Sequence, residues 1–160
     1  QLDRFQFKLK VSFPSRQELH RIIEQTTGTV QSVSIQSMGA ATIDSMSRLA
    51  LRCEAARHIV DTAIRVVEAT HPHLDDSPPI TRKYIRFGAS PRGAQSIVRA
   101  AKALALIEGR FAMSHHDIER VVCPALRHRI ILNFEGAAEG VDPDDVLKEI
   151  LQHVMRQKSM

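Results

Sequence analysis

Repeated helix starts, each followed by an apolar stripe at helical spacing, constrain this chain more than any other feature. Ser15-x-x-Glu18 is a capping box ahead of Leu19, Ile22 and Ile23, and Gly28 is placed to end that helix. Ser90-Pro91 combines an N-cap hydroxyl with a proline at the first helical position. Ala94, Ile97, Val98, Ala101, Leu104 and Ala105 continue as one stripe up to Gly109. Ser114-x-x-Asp117 opens another helix, which Pro124 is expected to separate from a further one over 125–131. Asp142-Pro143 starts the last, with Val146, Leu147, Ile150, Leu151 and Val154 on one face. From about Arg48 the pattern is also helical, with Ala56, Ile59, Val60, Ala63, Ile64 and Val67 in register. Such stripes bury themselves best against one another, which predicts a helical bundle.

The N-terminal stretch reads differently. Phe5, Phe7, Leu9, Val11 and Phe13 alternate with Gln6, Lys8, Lys10 and Ser12, the pattern of a half-buried strand that Pro14 stops. Residues 28–45 are poor in charge and rich in Gly, Ser and Thr, with Val33 and Ile35 as a short extended stretch. This segment is expected to link two bodies: a strand–helix piece over 1–27 and a helical domain over 46–160. His71-Pro72 and Ser77-Pro78-Pro79 mark a loop within the second. Because Gln1-Leu2-Asp3-Arg4-Phe5 reads as mid-sequence, a longer parent polypeptide is expected.

Hydrophobic residues make up 43% of the chain and aromatics only 4%, a balance that suits helix packing better than a β-sandwich. The formal net charge of +4 fits a small anionic ligand and is too weak to demand nucleic acid. Cys53 and Cys123 form no CxxC and read as two buried thiols in a reducing compartment, which points to the cytoplasm. No apolar run reaches membrane-spanning length, and no signal peptide is expected.

Two arginines are candidates for chemistry. Arg92, in Gly88-Ala89-Ser90-Pro91-Arg92-Gly93, falls in the first turn of its helix, where free backbone N–H groups and the positive dipole end already favour an anion. An anion held jointly by Arg92 and the helix start would explain a cation there, and Gly88 and Gly93 would let a ligand approach the backbone. A solvated surface arginine is the competing reading. Arg4, just before the expected strand, is either functional or a salt-bridged strand-entry residue. His71-x-His73 with Asp75 and Asp76, and His115-His116, lack the Cys partners and spacing of a structural zinc site, so no metal is expected. Arg82, Lys83, Arg86, Arg92, Arg99 and Lys102, and separately Arg127-His128-Arg129, read as solvated basic faces, because no aromatic interleaving suggests base stacking. No GxxxxGK[ST] phosphate loop occurs.

Three stretches together resemble the MoxR family of AAA+ ATPases. Gln1-Leu2-Asp3-Arg4-Phe5 leading into FKLKVSFPS is similar to the segment after sensor 1. RFGASPRGAQSIVRAAKALALIEGR (86–110) is similar to the sensor 2 helix and the residues just beyond it. VCPALRHRIILNFEGAAEGVDPDDVLKEIL (122–151) is similar to the closing lid helices. The resemblance implies a mainly α fold: a helical AAA+ lid preceded by a strand–helix remnant of the α/β nucleotide-binding core. It implies that Arg92 is the sensor 2 arginine, with Ser90 and Pro91 beside it at the nucleotide, and that Arg4 is the arginine finger. It further implies ATP and Mg2+ as cofactors of the parent protein, with none held tightly by this chain alone, since Walker A, Walker B and sensor 1 have no counterpart in it. The expected partners are neighbouring subunits of a homo-oligomeric, chaperone-like ring and a von Willebrand factor A domain protein. A nucleic-acid-binding module using the 82–102 basic residues, or a scaffold bundle without ligand, are the alternatives that the residues alone leave open.

Overall fold

The computed structural model describes residues 1–28 and 37–157. The order of elements is a 3-10 turn (Leu2–Arg4), α1 (Arg16–Thr27), α2 (Ala40–Arg52), α3 (Arg57–Glu68), α4 (Pro79–Tyr84), β1 (Ile85–Phe87), α5 (Pro91–Ile107), α6 (His115–Leu126), β2 (Ile131–Leu132), α7 (Phe134–Ala138) and α8 (Pro143–Gln157). The architecture is mainly α, as expected. The stripes of α3, α5, α6 and α8 meet in one core: Ile59, Val66, Ile97, Ile118, Val122, Leu126, Leu147 and Ile150 are all buried. α5 lies against α6, α3 and α2, while α8 lies against α3, α4 and α6.

Each signalled helix start is present. The Ser15 N–H donates to Glu18 Oε2 at 2.7 Å and the Glu18 N–H to Ser15 Oγ at 3.3 Å. The Ser114 N–H and hydroxyl both donate to Asp117 Oδ2, at 2.7 and 2.9 Å. Asp142 Oδ1 accepts from the Asp144 N–H at 2.9 Å. Gly109, at φ 75°, turns the chain out of α5 in a left-handed conformation that other residues adopt only with strain.

Four expectations change. Residues 5–13 form no strand. A strand needs a neighbour for its N–H and C=O groups, and the segment instead meets the bundle through isolated bonds, such as the Lys8 N–H to the Pro124 carbonyl at 2.9 Å. Phe7, Leu9, Val11 and Phe13 are exposed. The stripe of α1 is likewise not turned inward: Ile22 and Ile23 are exposed and α1 has no buried residue.

α2 begins at Ala40, well before Arg48, and so takes in the end of the 28–45 stretch. Ser45 and Ser47 do not break it because their hydroxyls donate to the Ala41 and Ile43 carbonyls one turn back, at 2.8 and 2.9 Å. The extended stretch expected at Val33 and Ile35 lies outside the described residues.

Pro124 does not end α6. It sits in the last turn, where its missing N–H removes one bond but its φ is compatible with helix, and the burial of Val121, Val122, Ala125 and Leu126 holds the turn together. No helix forms over 125–131 beyond that turn. The chain bends, with the Arg129 N–H on the Leu126 carbonyl at 2.8 Å, and enters β2, whose Leu132 stands opposite Ile85 of β1 in an antiparallel pair.

Candidate functional site at the start of helix α5

The start of α5 is fixed from beneath and from within. Ahead of it, the Ala89 N–H donates to Thr70 Oγ1 at 2.9 Å and the Ala89 carbonyl meets His71 Nε2 at 2.9 Å, which pins the turn to the end of α3. Ser90 then caps the helix, its Oγ accepting the Arg92 N–H at 3.3 Å, and Pro91 sets the first helical φ. Arg92 lies in the first turn with 66% of its side chain exposed. Gly88 and Gly93 do not open a path for a ligand. A Cβ on Gly88 would lie 2.7 Å from Thr70 Oγ1, and one on Gly93 would lie 2.8 Å from Leu126 Cδ2, so both glycines serve close internal packing.

The anion at this helix start comes from the chain itself. The Asp3 carboxylate accepts from the Ser90 hydroxyl at 2.9 and 3.1 Å, lies 3.6 Å from Arg92 Nη1, and accepts from Arg129 Nε at 3.1 Å. Arg129 is the buried member, with 2% of its side chain exposed. Its Nη2 donates to the Asp3 carbonyl at 2.9 Å, the Phe5 carbonyl at 2.7 Å and Ser96 Oγ at 2.9 Å. Its Nη1 donates to the Ala125 carbonyl and, at 3.4 Å, to the Gln6 carbonyl. The residues on either side help: His128 Nε2 meets the Phe5 carbonyl at 3.0 Å, and Arg127 donates to the Lys8 carbonyl at 3.0 Å and to Asp144 Oδ1 at 2.9 Å. Burial pushes the His128 imidazole below the usual histidine range, which favours its neutral form.

Arg127-His128-Arg129 is therefore no solvated basic face but a clamp on residues 3–8. One sign in the sequence pointed to it: the spacing Ile118, Val122, Ala125 carries on to position 129, where an arginine at an apolar position demands a buried acceptor. Arg4 itself is exposed, its guanidinium 5.5 Å from the centre of the Phe5 ring. Arg4 and Arg92 thus sit on either side of Asp3, the first through the backbone and the second through an ion pair.

Several of the other candidates are engaged by groups of the same chain. Arg82 donates to the Asp75 carbonyl at 2.7 Å, Lys83 to Tyr84 Oη at 2.8 Å and Lys102 to the Leu51 carbonyl at 3.2 Å, while Arg86 covers the Phe87 ring at 5.1 Å. His115 Nε2 pairs with Thr62 Oγ1 at 3.2 Å. Among the described residues no three His, Cys, Asp or Glu side chains gather as a metal site. Cys53 is buried and Cys123 half-buried, both as free thiols, and burial pushes the Cys123 thiol up. No helix among the described residues is long and apolar enough to cross a membrane.

Residues 79–150, which span α4 to the middle of α8 and include the capped start of α5, match the AAA lid domain family. This match, and the relatives named MoxR, support a lid-bearing region of a MoxR-family AAA+ ATPase. The chain is 32% identical over 154 residues to Chaperone MoxR1 of Mycobacterium tuberculosis, covering 96% of this chain and 41% of the relative. It is 37% identical over 93 residues to Protein MoxR of Paracoccus denitrificans, covering 57% of this chain and 24% of the relative. A solved structure from Cytophaga hutchinsonii, provisionally described as an ATPase, superposes with a TM-score of 0.86 at 25% identity, covering 95% of this chain and 46% of that one. The chain thus spans less than half the length of these relatives.

Proposed function

We propose that this chain is the C-terminal region of a ring-forming MoxR-type ATPase, in which Arg92 is the sensor 2 residue and Arg4 the arginine finger. The observation that supports it most is the pairing of Arg92 with an anion at the start of a capped helix. The Asp3 carboxylate is 3.6 Å from the guanidinium of a mostly exposed side chain, a contact loose enough to exchange for another anion. Backbone N–H groups, the dipole of a 17-residue helix and a guanidinium converge there, the chemistry a nucleotide γ-phosphate requires. In the complete ATPase, ATP and Mg2+ would be held by phosphate-loop and acidic elements outside this chain. Arg92 would hold the γ-phosphate from the lid, with Ser90 and Pro91 fixing the direction from which it reaches. Arg4, exposed on the turn at Leu2–Arg4, would enter the site of the neighbouring subunit and stabilise charge that develops during phosphoryl transfer.

Such an ATPase would act as a chaperone-like machine of the cytoplasm, alongside a protein with a von Willebrand factor A domain. A nucleic-acid module is less favoured, because several residues of the proposed basic patch are bonded to nearby groups of the same chain.

The test uses the full-length ATPase. Arg92→Ala is expected to shrink the difference in affinity between ADP and a non-hydrolysable ATP analogue and to slow turnover. Arg4→Ala is expected to slow turnover by on the order of 10³-fold while leaving nucleotide affinity nearly intact. An unchanged affinity ratio with unchanged turnover in Arg92→Ala returns that residue to the solvated surface, and wild-type turnover in Arg4→Ala removes the finger.

A further inference from the structure

Arg129 is a buried guanidinium placed where the Arg4 and Arg92 segments meet. Three of its bonds go to main-chain carbonyls that flank Arg4: Asp3, Phe5 and Gln6. Two go to the bundle, at Ser96 of α5 and Ala125 of α6. The last goes to the Asp3 carboxylate, which also reaches Ser90 and Arg92. Gln6 adds an independent tie, its Nε2 donating to the Ser96 carbonyl at 2.7 Å.

A planar, permanently charged fork can serve this many acceptors at once, and an ammonium group cannot. The Asp3 carboxylate is the counter-charge to a side chain that is 2% exposed. Undocking residues 3–6 would strip Arg129 of that counter-charge and of most of its acceptors together, so the segment is held as a unit. The backbone of Arg4 therefore has its position set by α5 and α6, the same helices that carry and support Arg92.

We propose that Arg129 is a positioning residue for phosphoryl transfer: it locks the Arg4 backbone to the start of α5, so that the reach of the finger into one subunit's site tracks the position of the lid over the next. The proposal rests on the finger and sensor readings of Arg4 and Arg92. It adds that the two are mechanically one unit, joined through Asp3, and that the lid's response to nucleotide in one subunit is passed to its neighbour by this route.

The experiment compares Arg129→Lys, Asp3→Asn and Arg4→Ala in the full-length ATPase by steady-state kinetics and amide hydrogen exchange. Arg129→Lys keeps the charge and loses the fork. It is expected to speed exchange across residues 3–8, leave exchange across 94–106 unchanged, and lower kcat about tenfold or more with KM for ATP unchanged, since the displaced group acts in the transition state. Asp3→Asn is expected to give the same pattern in weaker form, and it decides the matter if Arg129→Lys does not fold. A merely structural role would instead raise exchange across 94–106 together with 3–8. Unchanged exchange at 3–8, or faster exchange there with wild-type kcat while Arg4→Ala is slow, overturns the lock and leaves the finger standing. Wild-type kcat in Arg4→Ala removes the finger, and the lock's catalytic role with it.

Discussion

The Asp3 carboxylate lies 2.9 Å from the Ser90 hydroxyl, and so rests on the very group that caps helix α5. Ser90 serves two neighbours with one oxygen: it accepts the Arg92 N–H and donates to Asp3. Arg92, by contrast, touches Asp3 only at 3.6 Å and from an exposed side chain. The structural and the exchangeable contacts at this site are therefore carried by different residues.

The consequence for stability can be measured on the 160-residue chain. Ser90→Ala is expected to cost about 1 kcal/mol by urea denaturation, the usual value of a lost N-cap. Arg92→Ala is expected to cost less than Ser90→Ala, because a solvated ion pair adds little. The reverse order would mean that Arg92 is a structural residue.

Gly93 is expected to tolerate no side chain. It is buried in the first turn of α5, and an added Cβ would lie 2.8 Å from Cδ2 of Leu126, itself fully buried. Gly93→Ala should gain slightly in helix propensity and lose more through forced separation of α5 and α6, for a net cost of roughly 1–3 kcal/mol. A denaturation midpoint at or above wild type would show that Leu126 can move aside.

Stability should fall in acid through Asp117. The Arg110 guanidinium, bonded to both its oxygens, holds this buried carboxyl down to about 2 from an ordinary value of 3.8. A carboxyl lowered by folding stabilises fully above its unfolded value and loses that contribution as pH falls through the folded one. The window is thus pH 3.8 down to about 2, with roughly 2 kcal/mol lost across it. Denaturation midpoints taken across that range should decline in the wild type and decline less in Arg110→Ala, which lowers stability at neutral pH instead. Parallel slopes in the two would assign the acid sensitivity elsewhere.

Helix α1 should be less protected than α5 in the isolated chain. It has a complete capping box but no buried residue, whereas α5 buries Ile97, Ala101 and Ala105. Local caps orient a helix and packing stabilises it. Amide exchange should be faster across 16–27 than across 94–106, and equal protection would reveal a surface that covers Ile22 and Ile23.

The sequence by itself determined the helices of the bundle, because caps and apolar spacing act within a turn or two of chain. Ser90-Pro91, Ser114-x-x-Asp117 and Asp142-Pro143 each open the helix they announce, and the stripe led by Ile97 and Ala101 is buried. It also marked Arg92 as a cation at a helix start in need of an anion. What it could not determine is where unlike segments meet. The alternation in 5–13 specifies a strand only if a neighbouring strand supplies bonds, and among the described residues none does. The pairing of β1 with β2 joins positions 85 and 132, and the bond from Arg129 to Asp3 crosses 126 positions. No local pattern encodes such distances. Tertiary structure decided that Arg127-His128-Arg129 is a clamp and not a wet face, because a buried guanidinium must find its counter-charge and acceptors wherever the fold brings them, and here it brings them in residues 3–6.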